Sequence, residues 1–182
     1  MCNPIGTWTR ANVPRNSSGM PNDIGDRVRA AAAATGIPYD VVQCDPALAD
    51  TADFCAAYGY ALEDSANCVV VAGKSDPPVY VACVVLATTR LDVNGVVRRR
   101  LGTRKASFAD PGAVEAITGM TIGGVTPIAL PPEVPLWVDE RVMTRPRVVL
   151  GGGSRTNKIV APPSLLTAVG AETVADLAKP IP

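Results

Sequence analysis

Histidine is absent from all 182 residues, so proton transfer and nucleophile activation fall to backbone amides, lysine, hydroxyls, carboxylates, thiols or groups carried by a substrate. Against that background one stretch stands out: Gly119-Met120-Thr121-Ile122-Gly123-Gly124-Val125-Thr126-Pro127, a glycine-rich loop closed by proline. It lies downstream of a lone lysine, Lys74, at the end of an apolar run. Glycines let a backbone come close to a bound group, and amides fixed in such a loop can stabilise an oxyanion. The competing reading of Gly123 and Gly124 is a bulge or tight turn required only by backbone angles, and of Lys74 an ordinary turn lysine.

Other chemistries find less support. Five cysteines, Cys2, Cys44, Cys55, Cys68 and Cys83, are odd in number and widely spaced with no Cys-x-x-Cys pair, which indicates neither a disulfide framework nor a zinc site. Cys68 and Cys83 fall in β-branched apolar runs and read as small buried hydrophobes. Gly151-Gly152-Gly153-Ser154 lacks the lysine and spacing of a phosphate-binding loop. Asp139 and Glu140 are neighbours that a strand would point to opposite faces, so they make a poor acid–base pair. No metal and no cofactor is expected.

Charge is distributed unevenly although it sums to zero. Residues 1–89 carry 5 basic and 9 acidic side chains, residues 90–182 carry 12 and 8. The densest basic cluster is Arg98, Arg99, Arg100, Arg104 and Lys105, which can attract a phosphate backbone or simply form a solvated helix face.

The elements that must position these groups follow from capping and periodicity. Residues 1–22 read as an irregular arm rich in Pro, Asn, Ser and Gly. Asp23 caps a helix through Ala34, stopped by Gly36 and Pro38; Tyr39 to Gln43 is a short strand; Asp50 or Thr51 caps a helix to Tyr58, ended by Gly59. Asn67 to Ala72 and Val79 to Ala87 give the strongest strand signals and form a central hairpin. Asp92 caps a helix from Val93 to Leu101, Lys105 to Phe108 is a strand, and Asp110-Pro111 opens a helix to Thr118 with Gly119 just past its end. Strands are expected at Val125 to Leu130, Leu136 to Val138, Val148 to Leu150 and Lys158 to Val160, then a helical region from Pro163 to Val169. This interleaving, in a chain that is 47% hydrophobic and 19% charged, predicts one α/β domain over residues 23–182 with a mixed, partly barrel-like sheet flanked by helices. No apolar run approaches the roughly 20 residues that cross a bilayer. The first residues lack the pattern of a secretory signal, so a cytoplasmic location is expected.

Taken in order, Val71-Ala72-Gly73-Lys74, Arg90-Leu91-Asp92, Ala109-Asp110-Pro111, Thr118 to Pro127, Trp137-Val138-Asp139-Glu140 and Gly151 to Ser154 resemble the YbaK family, the bacterial editing domain that also occurs inserted in prolyl-tRNA synthetases. The resemblance runs from about Gly36 to Leu166. It implies a free-standing aminoacyl-tRNA deacylase serving translation fidelity, which hydrolyses the ester of alanine or cysteine wrongly attached to proline tRNA. It implies catalytic roles for Lys74 and for the amides of Gly123, Gly124 and Val125, with water or a substrate hydroxyl or thiol attacking. Ser75, Thr126, Pro127, Asp139, Gly152, Gly153 and Ser154 become substrate-binding candidates, and Asp139 can alternatively fix a turn. Arg98 to Lys105 becomes a candidate contact for the acceptor end, and prolyl-tRNA synthetase a candidate partner. The alternative is a module of the same fold that binds an aminoacyl-adenosine-like ligand or a protein without turnover. The Pro77-Pro78 break, the proline-rich 130–135 loop and Ser154-Arg155-Thr156-Asn157 depart from the family pattern at the pocket rim.

Overall fold

A computed structural model describes residues 23–181; the irregular arm expected over 1–22 lies outside the described residues. The sequence signals place most elements well. Helix α1 (Ile24–Ala34) is capped by the Asp23 carboxylate, which accepts the Gly25 amide. After β1 (Asp40–Gln43), α2 (Thr51–Tyr58) ends on left-handed Gly59. The central hairpin pairs β2 (Ala66–Gly73) with β3 (Val79–Leu86) in antiparallel register over eight residues. Beyond it come β4 (Thr89–Leu91), a wide helical turn at Val93–Val97 continued by α3 (Arg98–Arg100), and β5 (Ala106–Phe108). Helix α4 (Pro111–Thr118) carries Pro in its first turn, an Asp110 cap on the Ala113 amide at 3.0 Å, and left-handed Gly119 at its end. The chain closes with β6 (Leu136–Asp139), α5 (Glu140–Met143), β7 (Val148–Gly151), β8 (Asn157–Ala161), α6 (Ser164–Ala168), β9 (Glu172–Val174) and β10 (Ala178–Pro180).

Three sheets result among the described residues. The largest runs β5-β2-β3-β6-β9, antiparallel through β3 and parallel from β3 to β9, while β1-β8-β7 and β10-β4 are antiparallel. The mixed sheet matches expectation; none of the three closes into a barrel. Val125 to Leu130 is not a strand: Pro127 has no N–H to give a ladder, and Ala129 sits at φ +61°. Strands β4, β9 and β10 have only three residues each, too few for a period-2 signal.

The long apolar runs of the hairpin are explained by burial on both faces. Ala66, Ala82, Val84, Leu136 and Val138 pack into one core with α1, β7, β8 and α6. Their neighbours Val71, Val81, Cys83, Val85 and Trp137 pack into a second with Leu91, Val97 and Leu177. A smaller cluster gathers Phe54, Cys44, Cys55, Val149 and Val160.

One gap in this packing positions the site. Strand β5 covers β2 only at Val71, Ala72 and Gly73, and the Ala109 amide reaches the Val70 carbonyl at 2.9 Å. At the other end Ser65 bridges to Val149 of β7. Between these attachments the edge of β2 opposite β3 lacks a neighbouring strand, and α2, the 122–125 loop and β7 close around the opening.

Candidate active site

The opening is a cavity of about 360 Å³, the lower end of the size range of small-ligand pockets. Its walls are largely apolar, with Val69, Val70, Val114, Val125, Val149 and Leu150 among them. Polar groups enter from three sides. Gly123 and Val125 come from the glycine loop, Thr51 and Asn67 form a pair whose Oγ1 donates to Oδ1 at 2.6 Å, and Lys158 rises from β8.

Lys158 is the residue that sequence reasoning missed. Only 6% exposed, its ammonium donates to the Ala49 carbonyl at 2.5 Å and the Gly123 carbonyl at 3.3 Å and lies 5.6 Å from the Phe54 ring centre. An ammonium has three donors, so after these two bonds one N–H remains for a ligand in the cavity. Burial holds its pKa below the usual 10.5. No sequence period marks it: every residue of β8 is buried, which the neighbouring strands decide, and a lysine inside a buried strand calls for a polar partner.

The two glycine loops are brought together, and they interlock. The Gly153 amide donates to the Gly124 carbonyl at 2.7 Å. A Cβ on Gly151 would lie 2.2 Å from the Val125 carbonyl oxygen, and one on Gly124 would lie 2.4 Å from the Ser154 carbonyl carbon. Gly123 adopts φ +89°. Of the three amides expected to stabilise an oxyanion, that of Gly124 is already committed to Thr121 O at 3.0 Å. The amides of Gly123 and Val125 donate to no other protein group among the described residues, and both residues line the cavity.

The remaining sequence candidates are placed elsewhere. Lys74 is exposed beyond the end of β2, its amide bonded to Lys105 O, and it does not line the cavity. Ser75 follows it outward, its hydroxyl donating to Pro77 O. Thr126 and Pro127 are buried behind the loop, with Pro127 on a separate recess beside Ala129 and Pro131. Asp139 is fully buried, caps α5 through the Arg141 amide, accepts from the Ala178 amide at 2.8 Å and pairs with the Arg141 guanidinium at 3.2 Å. It fixes a turn and does not line this cavity. Gly152 and Gly153 are buried, and Ser154 bonds to Thr156 and Asn157; these three shape the loop without lining the site.

Of the basic cluster, Arg100 pairs with Glu172 at 2.6 Å and covers the Trp137 ring, and Arg98 donates to Asn94 O. Arg99, Arg104 and Lys105 are exposed, without an ion pair among the described residues. A different cation stands at the rim: Arg155 pairs with Asp50 at 3.2 Å, donates to Pro46 O and packs against Gly123.

Cys68 is the cysteine that lines the cavity among the described residues, and its surroundings do not activate it. Burial pushes its pKa far above the ordinary thiol value, and burial pushes Cys83 up to about 12. A protonated thiol is unreactive. The cavity thus has apolar walls bounded by Gly123, Val125 and the Lys158 ammonium, residue types that can supply donors to a developing negative charge on a carbonyl oxygen.

A family model described as the aminoacyl-tRNA editing domain matches residues 45–168. The chain belongs to that family, the YbaK group of editing domains. Its fold is similar to a crystal structure described as that of "a putative trans-editing enzyme for prolyl tRNA synthetase", 26% identical with a TM-score of 0.72 over 87% of this chain and 98% of the other. It is also similar to the hypothetical protein APE2540, 26% identical with a TM-score of 0.75 over 84% and 99%.

Proposed function

We propose that this protein is a deacylase that acts in trans on tRNA charged with the wrong small amino acid, alanine or cysteine on proline tRNA. The observation that carries the reading is the convergence, on one cavity, of Gly123 and Val125, whose amides have no protein acceptor among the described residues, and one buried ammonium, in a chain without histidine. A second hydrolytic sieve is useful because a synthetase pocket gains only about 1–3 kcal/mol of discrimination per methylene.

In this reading the aminoacyl ester enters between β2 and the glycine loop. Water, or a hydroxyl or thiol of the substrate, adds to the ester carbonyl. The Gly123 and Val125 amides and the free N–H of Lys158 stabilise the oxyanion. The carbon–oxygen bond to the ribose then breaks, and the attacker's proton ends on the departing ribose oxygen. When water attacks, the products are free amino acid and uncharged tRNA; a substrate hydroxyl or thiol gives an acyl intermediate that water must open. Lys158 takes the part that the family resemblance assigned to Lys74. Its bond to the Gly123 carbonyl couples the cation to the loop it assists.

Support for prolyl-tRNA comes from the description of the similar crystal structure. The test is deacylation of Ala-, Cys- and Ser-charged tRNAs by the monodisperse protein. Release of at least one amino acid faster than spontaneous hydrolysis is expected; no acceleration with any of them leaves only the binding module as a reading of this fold.

A further inference from the structure

Two large apolar side chains stand exposed on the lips of the cavity. Phe108, at the end of β5, is 58% exposed, and Ile122, next to Gly123, is 52% exposed. No other aromatic among the described residues combines a cavity-lining position with such exposure: Phe54 is buried, and Trp137 lies at 7% under Arg100. The register explains why Phe108 stays uncovered. It pairs with Val71 on the edge strand of the sheet, and the chain turns away into α4 directly after it.

The same strand leads to positive charge. Lys105 precedes Ala106, and its carbonyl accepts the Lys74 amide, which puts Lys74, Arg104 and Lys105 together at the far end of β5. All three are exposed, and none has an ion pair among the described residues. At about 3.4 Å per residue, Lys105 stands about 10 Å along the strand from Phe108. An aromatic platform at a cavity mouth, followed at that interval by uncompensated cations, is the arrangement that binds single-stranded nucleic acid: bases stack on the ring and phosphates meet the charges.

We propose that Phe108 is the stacking platform for the 3′-terminal base of the RNA, with Ile122 bounding its other side, and that Lys74, Arg104 and Lys105 receive the phosphates preceding that base. This inference rests on the reading that an aminoacylated RNA end enters the cavity. It gives Lys74 a binding role away from the reacting carbonyl. It also assigns base recognition to a residue outside every motif of the family resemblance.

The probe is a fluorescently labelled, uncharged acceptor-stem RNA microhelix ending in CCA, with its binding followed by anisotropy. Phe108→Ala is expected to weaken binding about tenfold, in line with the loss of one base–aromatic stack, and Phe108→Trp to restore it. A microhelix lacking the terminal adenosine should bind about tenfold more weakly to the native protein and be indifferent to Phe108→Ala. Equal binding of both RNAs, an effect of Phe108→Ala on the shortened RNA as large as on the full one, or no microhelix binding by the native protein overturns the proposal. Because the uncharged RNA has no ester, the result stands apart from hydrolysis. A protein that binds RNA through Phe108 yet cleaves no charged tRNA refutes the deacylase reading alone; one that cleaves charged tRNA with a KM unmoved by Phe108→Ala refutes the platform alone.

Discussion

A buried lysine is costly to hold charged, and Lys158 shows what offsets that cost: two carbonyl acceptors and the face of Phe54. Replacing it with an apolar side chain of similar length removes the cost of burying a charge but leaves the Ala49 and Gly123 carbonyls without that donor, at about 1–3 kcal/mol for a buried acceptor. With the two effects opposed, Lys158→Met is expected to move the urea midpoint little while slowing ester cleavage about 100-fold, the usual loss on removing one oxyanion donor. A role in folding alone reverses that pattern. The depressed pKa adds a pH signature. As pH rises through a value below 10.5 the ammonium is lost, so kcat/KM, corrected for spontaneous hydrolysis, should fall on the alkaline side earlier than for an ordinary lysine. In Lys158→Arg, whose guanidinium keeps its charge, any remaining activity should lack that limb. Cys68 provides a control at the same cavity: held protonated by burial, it should tolerate replacement by Ala with kcat within about twofold, whereas a loss comparable to that of Lys158→Met makes it a participant.

The elements that carry the site were legible in the sequence wherever a cap or a stop marked them. Asp110-Pro111 and Gly119 bound α4, Asp23 starts α1, and the β2–β3 hairpin announces itself through continuous β-branched residues. What escaped was set by tertiary contact. Val125 to Leu130 has strand composition but no pairing partner, because the loop is tied to the 151–154 segment by carbonyl contacts at Gly124 and Val125. Lys158 escaped because a residue's burial depends on which strands lie beside it. The interlock makes its own prediction. Gly151→Ala places a methyl against the Val125 carbonyl oxygen, and overpacking of this kind costs about 1–3 kcal/mol. Equilibrium urea unfolding should show that loss together with weakened cleavage; a stable, fully active Gly151→Ala protein means the two loops do not depend on each other. The same substitution at Gly102, where nothing lies within 4 Å of a Cβ although φ is +66°, should cost stability without touching the cavity.

Across the whole molecule, the excess of basic residues after residue 90 hinted at a polyanion partner, but the sequence could not divide the charges by task. The fold does. Arg100, Arg141, Arg145, Arg147 and Arg155 are engaged in ion pairs, whereas Lys74, Arg104 and Lys105, at one end of β5, have none among the described residues. Sequence distance hid this grouping, since Lys74 joins the other two only through the β2–β5 pairing. Charge reversal at Arg104 and Lys105 should raise KM for charged tRNA and flatten its salt dependence with kcat little changed, and an unchanged KM removes the patch from the account. The central claim is that the cavity between β2 and the glycine loop, with Lys158 as its cation, is where the ester breaks. Single-turnover deacylation of Ala-charged proline tRNA at saturating protein, comparing native, Lys158→Met and Lys74→Met proteins, tests it most directly. The account predicts a rate about 100-fold slower for Lys158→Met and within about twofold of native for Lys74→Met; a native rate for Lys158→Met alongside a collapse for Lys74→Met contradicts it.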